Sequence, residues 1–138
     1  MERILSDRDV WMLIAAGHVN LRGAELDGAV LERANLAGAN LERASLRSAR
    51  LTGASLKGAN LAGVDGTELE LKGANLTGAD LTGAVLRGAD LTGANLQNAE
   101  LSGADLERAE LKDTKVSREQ LRRASEERGS DVAGEGIA

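Results

Sequence analysis

A five-residue unit repeats through most of this chain without a change of phase, and it limits the folds that the chain can adopt. Twenty consecutive units occupy residues 19–116, and leucine stands at the middle position of eighteen of them. Alanine fills most of the positions two residues before the leucine. Only Gly66 and Val116 depart from leucine at the middle position. The chain must therefore repeat one local conformation from unit to unit.

A period of five matches neither an α-helix nor a β-strand. Five residues turn an α-helix by about 500°, so the leucines would wind around its surface instead of forming a stripe. Side chains of a strand alternate every two residues. The same two positions can be buried in every unit only if the chain turns a corner every five residues. Glycine, arginine, serine or asparagine closes most units, which suits a corner.

The composition argues against a helix bundle and for a core of small side chains. The chain has 17 glycines and no proline, and each interior glycine costs a helix about 1 kcal/mol relative to alanine. It has one tryptophan and neither phenylalanine nor tyrosine, whereas an ordinary core of this size uses several aromatic residues. We therefore expect a core built from alanine and leucine.

The A-(N/D)-L-x-x pattern resembles that of the pentapeptide-repeat family. It reads Ala-Asn-Leu at 39–41 and Ala-Asp-Leu at 79–81 and 89–91. The resemblance implies an all-β solenoid, namely a right-handed, four-sided parallel β-helix with four units in each coil. Twenty units would then give about five coils, stacked at ~4.8 Å each. Residues twenty apart in sequence would lie in one column, inside the solenoid or on its surface.

Both ends of the repeat carry sequences that predict short capping helices. Ser6 and Asp9 form a capping-box pattern ahead of a helix that would end at Gly17, with Trp11 as a large lid on the solenoid. Ser117 and Gln120 form a second such pattern. The predicted division is an N-terminal capping helix at 1–18, the β-helix at 19–116, a C-terminal capping helix at 117–128 and a flexible tail at 129–138.

One coil breaks the rule. Gly66 stands where leucine belongs, and Leu69 stands where alanine belongs. The simpler interpretation is volume compensation, in which Leu69 fills the space at Gly66 and the backbone accommodates it with a bulge. The alternative is a kink or protruding corner that a partner recognises.

No arrangement of residues in the chain predicts catalysis, a cofactor or a metal site. Cysteine is absent, and His18 is the single imidazole. No nucleophile elbow, phosphate-binding loop or zinc-protease motif occurs. No apolar run approaches the ~20 residues of a membrane span, and nothing resembles a signal peptide. We expect a non-enzymatic protein with a cytoplasmic location.

Acidic residues concentrate in the second half of the repeat. Residues 20–63 contain six basic and four acidic residues, whereas residues 64–116 contain five basic and ten acidic ones. At twenty residues per coil, Glu70, Asp90 and Glu110 would form one acidic column. We interpret this column as a solvated or docking surface in preference to a cation-binding site. Asp80 and Glu100 would extend a neighbouring face, and Asn20, Asn40 and Asn60 would form a column that we assign to structural hydrogen bonding. The candidate protein-binding residues are Asp65, Gly66, Glu70, Asp80, Asp90, Glu100, Asp105 and Glu110.

These features favour a rigid scaffold or protein-interaction module over other classes. We expect an unidentified protein partner that docks through a basic patch, no direct contact with nucleic acid or membrane, and a monomer, with a weak dimer as the alternative. The second hypothesis is a DNA mimic, because some members of the pentapeptide-repeat family protect DNA gyrase against quinolones in this way. Those relatives place phenylalanine at many middle positions, and this chain has none.

Overall fold

The repeat forms a solenoid whose coils pair with one another every twenty residues. The computed structural model describes residues 5–17 and 19–128, with side chains up to residue 125. Parallel bridges join residues twenty apart, from Asn20 with Asn40 to Asn95 with Lys115. A bridging residue occurs every five positions, so each coil contains four units. His18 and the predicted tail at 129–138 lie outside the described residues.

Each unit ends in a tight turn that starts at its leucine. The Leu21 carbonyl, for example, accepts a hydrogen bond from the Ala24 N–H at 3.0 Å. The third residue of these turns has a positive φ, as a type II turn requires, and glycine is the usual occupant because it has no Cβ. Arg33 and Ser48 adopt the same conformation, with φ of 62° and 57°. Glycine at the corner is thus favoured by the backbone but not required.

Leucine and alanine side chains fill the interior, as the repeat predicted. The leucines from Leu21 to Leu106 are buried, and so are most of the alanines between them. Only near the C-terminal end do Leu111 and Val116 become partly exposed. Burial of one leucine contributes about 1.5–3 kcal/mol. Stacked leucines can therefore stabilise this narrow core without aromatic side chains.

The irregular coil keeps the regular backbone. Asp65 bridges Ser45 on one side and Val85 on the other, and the Gly66 N–H donates to the Val85 carbonyl at 2.6 Å. Leu69 is buried, and its Cδ2 atom lies 3.0 Å from where a Cβ on Gly66 would be. Leu69 thus fills the space beside Gly66. No bulge forms, because both residues keep their places in the five-residue phase.

Helix α1, Asp7–Ala15, lies against the first coil. A capping box joins Ser6 and Asp9 at its start. The Asp7 carboxylate accepts from the Val30 N–H at 3.1 Å, and the Trp11 indole N–H donates to the Val30 carbonyl at 3.2 Å. Trp11 contacts the first coil as the predicted cap residue, but its side chain stays 40% exposed. Its indole serves as a hydrogen-bond partner for the exposed edge of the first coil.

Helix α2, Arg118–Arg128, lies against the last coil. Gln120 connects the helix to the solenoid. Its Oε1 atom accepts from the Ser117 N–H at 2.8 Å, and its Nε2 donates to the carbonyls of Leu96 and Ala99 at 2.6 and 2.9 Å. Within the repeat, the Ala79 carbonyl accepts from the backbone N–H of the residue twenty-one positions later. The Gln120 side chain supplies the corresponding bond to Ala99 where the repeat ends.

Candidate interaction surface

The residue before each leucine points outward and is the bridging residue of its unit. Where it is asparagine or aspartate, its Oδ1 accepts from the backbone N–H two residues later. Examples are Asn40 with Glu42 at 3.0 Å, and Asn60 with Ala62 at 3.0 Å. These bonds hold the turn within one unit rather than joining coils. They give a physical reason for asparagine and aspartate at this position in the repeat.

Glu70, Asp90 and Glu110 form one column on three successive coils, as predicted. Glu70 bridges Asp90, and Asp90 bridges Glu110. The side chains of Glu70 and Glu110 are exposed, and Asp90 is half-buried. Arg50 precedes them in the same column, with its Nε 4.0 Å from a carboxylate oxygen of Glu70. We call Glu70, Asp90 and Glu110 the acidic column.

The central carboxylate of the acidic column is held in its charged form. Hydrogen bonds from the hydroxyl and the backbone N–H of Thr92 lower the pKa of Asp90 and outweigh the opposing effect of burial, and the charge of Lys72 lowers the pKa further. The backbone N–H of Thr92 lies 3.0 Å from Oδ1 of Asp90. Because the pKa lies below its usual value, Asp90 carries a full negative charge near neutral pH.

Asp80 and Glu100 do not extend a neighbouring face, and that expectation is wrong. They bridge one another, in the column that begins at Asn20. Asp80 lies two units after Glu70 and two units before Asp90, which is half of a four-unit coil. Asp80 and Glu100 therefore lie on the opposite side of the solenoid from the acidic column. One flat partner surface cannot contact both sets.

Asp65, Gly66 and Asp105 are less accessible than a docking surface requires. Gly66 is buried. The side chain of Asp105 is only 4% exposed and pairs with Nε of Arg87. Asp65 accepts from Nε of Arg47 at 2.6 Å and is partly buried. These residues contribute mainly to the stability of the coils.

Sequence reasoning missed the arginine–aspartate pairs, although the sequence contains a signal for them. Arg47 and Asp65 are eighteen residues apart, and so are Arg87 and Asp105. In a twenty-residue coil, equivalent positions of successive coils lie side by side. The residue after a middle position, such as Arg47, therefore lies diagonally beside the residue before the equivalent middle position of the next coil, such as Asp65. Opposite charges at a spacing of eighteen are therefore neighbours once the coil length is known, although Glu32 and Arg50 have this spacing and form no ion pair.

The Asp65 pair should make stability depend on acid pH. Burial raises the pKa of Asp65, but hydrogen bonds from Arg47 and Thr67 outweigh it, so the pKa lies below the usual value. The Asp65 carboxylate therefore stabilises the folded protein fully above its pKa in the unfolded chain, about 3.9. This stabilisation is lost as the pH falls through the lower pKa that Asp65 has in the folded protein. Asp65→Asn is expected to lower the free energy of unfolding at pH 7 by about 1 kcal/mol.

Urea unfolding between pH 2 and pH 7 measures this effect. The difference between wild type and Asp65→Asn should narrow as the pH falls below about 4, because the wild-type carboxylate is then protonated. Glu32→Gln, which removes an exposed carboxylate from another face, should match wild type at pH 7. A constant difference across the whole pH range would contradict the role given to the Asp65 charge.

Two features bear on other functions. Within the described residues, no three histidine, cysteine, aspartate or glutamate side chains come together in a way that could hold a metal ion. The described helices are also too short or too polar to cross a membrane. The sequence-based expectation of a cytoplasmic location stays a prediction.

Comparisons with known proteins agree with this architecture. The family model described as pentapeptide repeats matches residues 17–53, 44–83 and 74–113. The pentapeptide-repeat protein Rfr23 from the cyanobacterium Cyanothece 51142 is 35% identical, with a TM-score of 0.64 over 71% of this chain and 84% of that one. A pentapeptide-repeat protein of the Arabidopsis thaliana thylakoid lumen is 28% identical, with a TM-score of 0.64 over 79% and 77% of the two chains.

A pentapeptide-repeat protein from Nostoc PCC 7120 is 29% identical, with a TM-score of 0.50 over 85% of this chain and 80% of that one. No curated protein gives a significant match. The repeat, the twenty-residue coil and these matches together place the chain in the pentapeptide-repeat family.

Proposed function

We propose that this protein is a rigid, non-catalytic interaction module whose acidic column docks on a basic patch of a partner protein. In this proposal the solenoid is the right-handed, four-sided β-helix of about five coils that the family resemblance implies, and both capping helices protect its ends. The observation that carries the proposal is the placement of three carboxylates at equivalent positions on three successive coils.

Rigidity supports a binding role. The Asp90 backbone, for example, donates to Leu69 on the preceding coil at 2.9 Å, while the next leucine donates to Glu110 on the following coil. The acidic column is therefore fixed in position before any partner arrives. A preorganised surface loses less conformational entropy on binding than a flexible one. A row of like charges also steers a partner of opposite charge toward it.

The polar groups of a cleft at the C-terminal end are already used within the fold. This cleft, of about 830 Å³, lies between the last coil and helix α2. Gln120 in its wall bonds the last coil, and Arg123 lies 3.7 Å from Glu100 and 3.6 Å from Glu119. These side chains hold the C-terminal cap. We therefore assign the cleft to stability rather than to substrate binding.

Charge reversal on the acidic column tests the proposal. Glu70→Lys combined with Glu110→Lys should remove the partner from affinity capture out of a native-host extract, measured by quantitative mass spectrometry. Asp90 is left unchanged, because its Oδ1 atom holds a turn. The matched control, Glu42→Lys with Glu100→Lys, has the same net charge, lies on the opposite side of the solenoid and should retain the partner. Circular dichroism should be unchanged in both variants.

Two results would contradict the proposal. Retention of the partner by the Glu70→Lys/Glu110→Lys variant would exclude the acidic column as the docking surface. Loss of the partner from the control as well would show dependence on net charge rather than on this column. The DNA-mimic alternative stays a prediction that no observation favours, because one face of the solenoid carries no carboxylate. The predicted monomeric state is likewise untested.

A further inference from the structure

One face of the solenoid differs in charge from the other three. Its bridging column is Asn35, Ser55, Asn75, Asn95 and Lys115. The five units that build it, at residues 34–38, 54–58, 74–78, 94–98 and 114–118, contain no aspartate or glutamate. The other three faces contain all the acidic residues of the repeat. We call these five units the lysine face.

All four lysines of the chain lie on this face or at its border. Lys57 and Lys115 belong to the face itself, and Lys72 and Lys112 lie in the turns that lead into it from the acidic column. All four side chains are exposed. The ion pairs found among the described residues use arginine, and none of them uses a lysine. The ammonium groups of Lys57 and Lys115 are therefore available to a ligand, whereas the charge of Lys72 acts on Asp90 of the acidic column.

The neutral residues between the lysines add hydrogen-bond donors. The Oδ1 atoms of Asn35, Asn75 and Asn95 accept from the backbone N–H two residues later, at 3.2, 3.0 and 2.9 Å. This arrangement turns each Nδ2 amino group away from the turn, where it can donate to a bound molecule. Lys57 and Lys115 thus lie among neutral donors, and the five units of the face contain no carboxylate to compete for them.

We propose that the lysine face is a second docking surface, which binds an acidic segment of a partner protein. Charge complementarity carries this assignment, because the face is cationic on a chain with a net charge of −5. Duplex DNA is a poorer match, since four lysines neutralise only about four phosphates and the net charge repels the rest. A membrane surface also fits less well, because the exposed large apolar side chains Trp11, Met12 and Val30 do not lie on this face.

The test is a nuclear magnetic resonance titration of the ¹⁵N-labelled full-length protein with a deca-glutamate peptide in low-salt buffer. Amide shifts should be confined to the five units of the lysine face and its bordering turns. Lys57→Gln combined with Lys115→Gln should weaken binding at least about fivefold. The control, Arg43→Gln with Arg108→Gln, makes the same change in net charge on other faces and should bind like wild type.

Other outcomes would overturn the assignment. Absence of shifts with the peptide, or shifts spread over all faces, would exclude this surface. If the lysine and arginine double variants weaken peptide binding equally, net charge rather than the lysine face determines the binding. Tighter binding to a DNA duplex or to anionic phosphatidylserine vesicles, lost in the lysine variant, would reassign the face to nucleic acid or membrane. The acidic column is unchanged in these variants, so these results are independent of the affinity-capture test of the acidic column.

Discussion

A double variant, Gly66→Leu with Leu69→Ala, is expected to unfold with a free energy within about 1 kcal/mol of wild type, although each single substitution is strongly destabilising. The double variant restores the regular alanine–leucine pattern to the one irregular coil. Leu69→Ala alone leaves a cavity beside Gly66 and should cost about 3–5 kcal/mol. Gly66→Leu alone adds a side chain where space is already occupied.

The crowding at Gly66 sets the size of this effect. A Cβ atom there would lie 3.0 Å from Cδ2 of both Leu69 and Leu86, and 3.2 Å from the Val85 carbonyl oxygen. Gly66→Leu alone should therefore cost about 3 kcal/mol or more. Truncation of Leu69 removes one of these contacts and makes room for the new side chain. These values imply a coupling between the two positions of about 5 kcal/mol or more, which exceeds the usual range of about 0.5–3 kcal/mol for residues in contact.

Urea unfolding of wild type, the two single variants and the double variant measures the coupling free energy between positions 66 and 69. Leu91→Ala, which removes a buried leucine from the next coil, serves as the control and should not rescue Gly66→Leu. If the double variant is as unstable as the worse single variant, Leu69 does not substitute for the missing leucine. The irregular coil would then need an explanation other than volume compensation.

Gln120→Glu is expected to lower the free energy of unfolding by about 2–4 kcal/mol. The substitution keeps the oxygen that accepts from the Ser117 N–H but replaces the amino group with a carboxylate oxygen. Two backbone carbonyls, of Leu96 and Ala99, then face a negative charge instead of a donor. Loss of two hydrogen bonds and the new repulsion both act at the junction between the last coil and helix α2.

The exposed Gln97 provides a matched control, since Gln97→Glu makes the same chemical change on the surface of the repeat. It should alter stability by less than about 0.5 kcal/mol. Hydrogen exchange at helix α2 would show whether the loss is local to the cap. Equal stabilities of the two variants would mean that the Gln120 side chain contributes nothing beyond its capping box.

The interior of this protein could be predicted from its sequence, whereas much of its exterior could not. The five-residue period fixes which side chains are buried, because every unit has the same backbone. The period does not give the number of units in one coil. That number decides which outward-facing residues are neighbours on adjacent coils. The number four came from the family resemblance. Even with it, Asp80 was assigned to the wrong side, since faces repeat every twenty residues and not every ten.

The candidate site was less predictable because partners of exposed side chains lie on other coils. Asp105 looked like any other outward aspartate, but Arg87 and the neighbouring units bury it. The acidic column could be predicted because its three members occupy the same position of equivalent units. Gln120 shows another limit, since the sequence predicts its capping box but not the two carbonyls to which it donates. Those contacts depend on how the helix meets the last coil.

The difference between the five-residue unit and the twenty-residue coil restricts how such a gene can change in length. Loss or gain of one unit keeps every leucine inside, so the core tolerates it. The same event rotates each later residue by a quarter of a coil and moves it to the next face. Glu110 would then leave the column of Glu70, and Lys115 would leave its face. Only changes in multiples of twenty residues preserve both the interior and the pattern of charges outside.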